Sequence, residues 1–239
     1  MFHSIKNHVR RRMLGLLGRI ESETSGHPLE LVFKILRTDS PKPCIVQIGA
    51  SDGSLHDPLA KFFASSDCRA LLVEPLPGPY QRLAARHSSR PNIVCRQIAI
   101  DECVGNRFIF TLSEDCPYAG EQLSSFSREH LLRNGVKERH IWSIEVSTLP
   151  LSQLLEEENI RAIDLLQVDT EGFDHVIVTM ALVLENKPRF INFEHLHLGK
   201  DARSRLHQEL RRAGYSWVLG GWDTLAWLSD GSVPNGTGG

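Results

Sequence analysis

Long apolar runs are missing from this 239-residue sequence. No stretch approaches the roughly 18 residues that a membrane-spanning helix needs, so the chain is not expected to cross a bilayer. Paired cysteines are missing too. Cys44, Cys68, Cys95, Cys103 and Cys116 are odd in number and form no C-x-x-C pair. No signal peptide is visible, and reduced thiols in a cytoplasmic protein are expected rather than a disulfide framework or a zinc ribbon. Charge of one sign is scarce: the net charge of −2 gives no global field to attract nucleic acid. The G-x-G-x-x-G of dinucleotide binders does not occur, which disfavours a pyrophosphate cradle. With 41% hydrophobic and 23% charged residues, the composition suits one globular α/β domain with a full core and a short appendage.

Three regions separate along the chain. Residues 1–40 read as a helical segment that begins strongly basic, with Lys6, Arg10, Arg11, Arg12 and Arg19 ahead of the first acid, Glu21. Phe2, Ile5, Val9, Met13, Leu16 and Ile20 recur at helical spacing and form one apolar stripe. That stripe fits packing on the domain or a partner, and it also fits a helix lying on an anionic membrane surface through residues 1–20. Gly26-His27-Pro28 breaks it, and a second helix starts near Leu29. From residue 41 to 229, short apolar runs alternate with helical patterns. Strands are expected at Cys44–Ile48, Ala70–Val73, Ile93–Ile100, Phe108–Leu112, Ile144–Val146, Ile163–Val168 and Phe190–Phe193, with a closing antiparallel pair around Gly220-Gly221. This alternation predicts a mostly parallel sheet with an antiparallel C-terminal strand and helices on both faces. Residues 230–239, rich in Gly, Ser, Pro and Asn, are expected to be disordered.

In such sheets ligands bind at the carboxyl ends of the strands, near the topological switch point. After the first strand comes Gly49-Ala50-Ser51-Asp52-Gly53, whose glycines permit a tight turn and whose acid suits a cationic ligand better than a phosphate. The second strand ends Val73-Glu74-Pro75, where a carboxylate can accept both hydroxyls of a ribose. A solvated turn and strand end would account for either segment alone; their spacing of one strand–helix–strand unit favours a nucleoside site. The strand Leu165-Leu166-Gln167-Val168 delivers Asp169 and Glu171 to the same rim, and Gly172 turns the chain into the next helix. Two carboxylates one residue apart can orient a substrate, act as base or share a divalent cation; capping the helix is their plainer role, and one acid can do each. The fifth strand ends Phe193-Glu194-His195-Leu196-His197, with His195 a candidate general base for an alcohol.

Taken in order, several segments resemble the FkbM-type methyltransferases. They are Val46 to Gly53 with Asp57-Pro58-Leu59, Val73 to Pro77, Leu123-Ser124-Ser125-Phe126, Asp164 to Asp174, and Phe193-Glu194-His195. The likeness runs from about residue 43 to 198. It implies a Rossmann-like class I methyltransferase fold, S-adenosyl-L-methionine as cofactor, and O-methylation of a sugar, glycan or polyketide-like hydroxyl. Carried across, Gly49 to Gly53 would form the cofactor loop, Glu74 beside Pro75 would hold the ribose, Ala99 and Asp101 would line the adenine, and Asp169 would border the methyl donor. Gln47 departs from the pattern, since many methyltransferases place there an acid that anchors the glycine loop; Ser51 stands where Asn is common. Asp169 or His195 is then expected to take the acceptor's proton, with Glu171 orienting the acceptor or helping to hold a metal. Residues 113–141 are too long for a plain connector, and Ser124, Ser125, Arg128 and His130 either read the acceptor there or form a surface insertion. The competing class is a non-catalytic, Rossmann-like nucleoside-binding module, associated with membrane surfaces through its N-terminal helix.

Overall fold

The computed structural model describes residues 28–54, 57–113, 115–116 and 123–229. The basic N-terminal stripe, residues 1–20, and the tail 230–239 lie outside these. The described chain runs α1 (Pro28–Asp39), β1 (Cys44–Ile48), α2 (Ala60–Ser65), β2 (Arg69–Val73), α3 (Pro77–His87), β3 (Ile93–Arg96), β4 (Ala99–Ile100), β5 (Gly105–Leu112) and α4 (Arg128–Arg133). It continues with a short 3-10 turn (Glu138–His140), β6 (Ile141–Leu149), α5 (Leu151–Glu157), β7 (Leu165–Val168), α6 (Asp174–Leu182), β8 (Phe190–Glu194), α7 (Lys200–Arg212), β9 (Tyr215–Leu219) and β10 (Asp223–Leu228). No helix among the described residues is long and apolar enough to cross a membrane.

Seven strands form one sheet in the order β3-β2-β1-β7-β8-β10-β9. The first five are parallel, and β10 runs antiparallel to both β8 and β9. This is the mostly parallel α/β sheet with an antiparallel C-terminal strand that the sequence predicts. Alternation along each strand sorts side chains between two cores. Val46, Leu71, Leu166 and Ile191 pack in one cluster with α5, α6 and α7, and Ile45, Leu72, Leu165 and Phe190 pack in the other with α1, α2 and α3. Both central strands are buried on both faces, which explains their unbroken aliphatic runs.

Helix α1, which the sequence groups with the N-terminal segment, is built into this domain. Pro28 stands in its first turn, and Leu29, Val32, Phe33, Ile35 and Leu36 are buried at helical spacing. Phe33 meets Phe62 of α2 at 4.8 Å between centroids. The apolar run expected as a third strand over 93–100 divides into β3 and β4. β3 joins the main sheet, while β4 leaves it to pair with β6 in a second sheet of order β4-β6-β5. β6 extends beyond the expected 144–146; Ser143, Glu145 and Ser147 face solvent along it, and those polar positions hide the strand in the sequence.

The chain switches direction across the sheet between β1 and β7. β1 is followed by β2 and β3 on one side, whereas β7 and β8 extend the other. The crevice beyond the carboxyl ends of β1 and β7 is therefore the place for a ligand.

Candidate active site

The loop after β1 is shaped by two glycines with left-handed backbone. Gly49 has φ +80°, and a Cβ there would lie 1.8 Å from the backbone oxygen of Asp169; no side chain fits this crossing of the two loops. Gly53 has φ +64°, with the Leu83 side chain 2.8 Å from where a Cβ would stand. The N–H groups of Gly49 and Ala50 both donate to the Val73 carbonyl, at 2.9 and 3.0 Å, binding the loop to the end of β2. Asp52 is approached by the Arg82 Nε at 3.7 Å, and the Arg86 Nε donates to the Asp52 carbonyl.

Glu74 sits directly behind this loop, 5% exposed. Its Oε2 accepts from the Ser51 N–H and its Oε1 from the Leu76 N–H, both at 2.9 Å. Each oxygen keeps a second lone pair for a ligand hydroxyl. Burial pushes the carboxyl up to about 7, against those hydrogen bonds and the nearby Arg82, which favour ionisation.

The acid loop after β7 lies opposite. The Asp169 N–H donates to the Ile48 carbonyl, so this loop continues the β1–β7 pairing. Asp174, at the start of α6, is 1% exposed and accepts from the Thr170 Oγ1 at 3.1 Å and the Gly172 N–H at 3.2 Å. It folds the turn that holds Glu171 at φ +52° and Gly172 at φ +101°. Asp169 is exposed toward the cavity it lines, while protein packs densely around its carboxyl on the other sides. The resulting desolvation, followed by the charges of Asp174, Glu171, Asp223 and Asp57, pushes its carboxyl up to about 8. Glu194, at the end of β8, is raised to about 9 by burial and then by the charges of Asp169, Glu171, Asp174 and Asp223. Among so many carboxylates a cation is favoured and a phosphate is not.

Between the loops lies a cavity of roughly 1060 Å³, open mouth included. Its walls include Gly49, Ala50, Ser51, Asp52, Gly53, Glu74, Pro75, Ala99, Asp169 and Glu171, nearly all of the positions selected from sequence. Asp101 is not in the wall: its N–H donates to the Leu149 carbonyl and its carboxylate pairs with Arg107 at 2.9 Å, because β4 has joined the smaller sheet. Ile98 and Ile100 flank Ala99 there instead. His195 is also outside the wall. It is buried, its Nδ1 lies 3.1 Å from the Thr224 Oγ1, its N–H donates to the Trp222 carbonyl, and burial lowers its pKa. Of the two candidate bases, only Asp169 faces the cavity. Ser124 and Ser125 line it as well, while Arg128 pairs with Glu138 and His130 turns to Glu171.

Several contributors escape sequence reading. Gln47, where an acid would be usual, donates from Nε2 to the Asp57 Oδ1 at 2.9 Å, and that oxygen also accepts the Leu59 N–H. An acid ten residues further along the chain is thus held beside the loop by this amide. In register with Gln47 stand Gln167 and Asn192, all three buried on one face of the sheet. Asn192 donates to the Gln167 Oε1 and to Asp223. Phe126 and Phe173 meet edge to face at 5.0 Å, with the Arg107 guanidinium 4.1 Å from the Phe126 ring centre. His197, not His195, reaches the acid loop: β8 ends at Glu194, so strand alternation does not carry past it, and the Leu198 N–H closes a turn on the His195 carbonyl.

Comparison with known proteins bears on this site. The Methyltransferase FkbM domain matches residues 47–216. A methyltransferase FkbM structure from Methylobacillus flagellatus KT is 16% identical with a TM-score of 0.52, covering 78% of this chain; the chain spans only 44% of that protein's length. Lower similarity extends to a precorrin-6y C5,15-methyltransferase from Geobacter metallireducens GS-15 (10% identity, TM-score 0.45, 84% of this chain and 87% of that one). It extends also to the Aeropyrum pernix fibrillarin with natively bound S-adenosyl-L-methionine (10% identity, TM-score 0.42, 78% and 67%). No curated protein matches the chain significantly. The Gly49 crossing, the buried Glu74 and the acid-rich cavity fit a cationic nucleoside, and with most of its length inside the matched domain, this chain belongs to the FkbM methyltransferase family.

Proposed function

We propose that the protein methylates a hydroxyl oxygen of a small polyhydroxylated acceptor, a sugar, glycan or polyketide-like molecule. S-adenosyl-L-methionine, when bound, supplies a methyl group made electrophilic by its sulfonium. Glu74 holds the ribose hydroxyls, the loop of residues 49–53 with the Asp52 carboxylate takes the amino-acid end, and Ile98, Ala99 and Ile100 give the base an apolar wall. Asp169, on the opposite lip, accepts the proton of the acceptor hydroxyl. A carboxylate whose proton affinity is raised by desolvation and by neighbouring acids is a stronger base than one with an ordinary pKa. Glu171, Ser124 and Ser125 continue the wall from there and supply polar groups to orient an alcohol. Phe126 and Phe173 give the acceptor an apolar platform, as sugar rings and polyketide backbones both require.

The observation that carries this reading is that Asp169 shares one cavity with the glycine loop and with Glu74. Its test is transfer of a labelled methyl group to a panel of sugars and hydroxylated small molecules. Wild-type protein is expected to label at least one hydroxyl. Asp169→Asn is expected to lower turnover by about 10²–10⁴-fold while S-adenosylhomocysteine still binds. Equal turnover in the variant overturns the assignment of the base. Labelling on nitrogen or carbon alone overturns the hydroxyl acceptor.

A further inference from the structure

One group of side chains at the edge of the cavity joins Glu171 of its wall to two histidines that this chemistry does not use. His130 on α4, Glu171 in the acid loop and His197 in the turn after β8 converge from three separate segments. Their donor atoms all lie within 4.8 Å of one another. The Nε2 of His130 is 3.2 Å and the Nε2 of His197 is 3.4 Å from the same oxygen, Glu171 Oε2. The two rings meet at 82° with centroids 4.5 Å apart, so their nitrogens approach that oxygen from different directions. We propose that His130, Glu171 and His197 bind one divalent first-row transition ion at the edge of the methyltransferase cavity.

Spacing, chemistry and support agree. Bonds of about 2.0–2.2 Å to an ion place neighbouring donors about 2.9–3.5 Å apart, the range of the two measured nitrogen–oxygen separations. Two imidazoles and one carboxylate suit zinc, iron(II), cobalt(II) or manganese(II) rather than calcium or magnesium, which prefer all-oxygen sets. Three protein ligands leave open positions, and Glu171 borders the cavity, so those positions are accessible to water or to an oxygen donor entering there.

The surroundings position the ligands. Asn134 Nδ2 lies 3.0 Å from the His130 carbonyl, which can only accept, so the amide nitrogen is correctly placed. The same nitrogen also lies 3.1 Å from His130 Nε2, so an ion that takes the one lone pair of Nε2 displaces this contact while the bond to the carbonyl remains. Ser125 Oγ donates to the Glu171 carbonyl at 2.8 Å, fixing the loop. Glu194 Oε1 stands 3.5 Å from His197 Nε2, and its other oxygen is buried with no hydrogen-bond partner among the described residues. A second carboxylate is therefore at hand.

The alternative is a hydrogen-bonded knot in which both imidazoles donate to Glu171 and no ion binds. Calorimetric titration of full-length, EDTA-treated protein with zinc chloride separates the two, with cobalt(II) absorption in the visible range as the spectroscopic readout. The expected result is one ion per chain, with affinity weakened at least roughly tenfold in His130→Ala and in His197→Ala. S-adenosylhomocysteine binding by the same variants is expected to stay within about twofold of wild type, which shows that they are folded. Should His130→Ala fail to fold, His197→Gln carries the same test. No binding at about 1 mM ion, or binding indifferent to both histidines, overturns the site. Because the readout is ion binding, the outcome is independent of whether the acceptor is an alcohol.

Discussion

The two sides of the cavity are built differently. The side proposed for the cofactor is made mostly of backbone: Gly49 and Gly53 in left-handed conformations, two N–H groups on the Val73 carbonyl, and the buried carboxylate of Glu74 held by two further N–H groups. It sits on three neighbouring strands, β1, β2 and β7, whose side chains are buried on both faces. The side proposed for the acceptor is made of side chains. Ser125, Phe126, His130, Phe173 and Arg107 come from the small sheet, α4 and the acid loop, and they meet through rings, hydroxyls and ion pairs. A backbone cradle tolerates few substitutions and fixes one ligand. A wall of side chains can change residue by residue, so one fold can serve different acceptors.

This contrast orders the expected effects. Gly49→Ala is the largest: its new Cβ would meet the Asp169 carbonyl oxygen at 1.8 Å, so the two loops must part. Calorimetry with S-adenosylhomocysteine is expected to show no binding, and an affinity near wild type would break the claim that the cradle is rigid. On the other side, Phe126→Ala removes the edge-to-face partner of Phe173 and the surface under Arg107. Acceptor KM is expected to rise about tenfold, equivalent to about 1.4 kcal/mol, with cofactor affinity unchanged. A loss of cofactor affinity instead would mean the two sides are not separable.

The last effect is one of pH and is spread over more than two pH units. Burial raises Glu74 from its ordinary 4.5 to about 7, so the folded, unliganded protein holds that proton more tightly than the unfolded chain. The Glu74 contribution to stability is present in full below pH 4.5 and is lost as pH rises through about 7, a change of up to roughly 3 kcal/mol. Ribose hydroxyls are better accepted by the ionised form, so S-adenosylhomocysteine affinity should rise over the same interval. Glu74→Gln removes both dependences. A Tm of the unliganded protein that falls equally with pH in Glu74→Gln would assign the effect to other acids.

The same contrast explains what was legible in the sequence. The positions of Gly49, Glu74 and Asp169 at the cavity were readable because each lies at the end of an aliphatic strand, and at Gly49 the backbone also demands the residue type. The parallel sheet followed from the same runs. The division of 93–100 between two sheets was not readable, because Ile93 to Ile100 looks like one strand until β4 pairs with β6. Asp101 went astray with it. His195 and His197 are equivalent in composition, and the end of β8 at Glu194 decides which meets Glu171. Arg107 over Phe126 and Gln47 on Asp57 depend on tertiary contacts that no local pattern records.

The most direct test is calorimetric titration of folded wild-type protein and Glu74→Ala with S-adenosylhomocysteine, with NAD as control. The account predicts micromolar binding of S-adenosylhomocysteine to wild type, none of NAD, and loss of binding in Glu74→Ala. Equal binding to both proteins, or none to folded wild type, would contradict the placement of the cofactor between β1 and β7, and with it the proposed reaction.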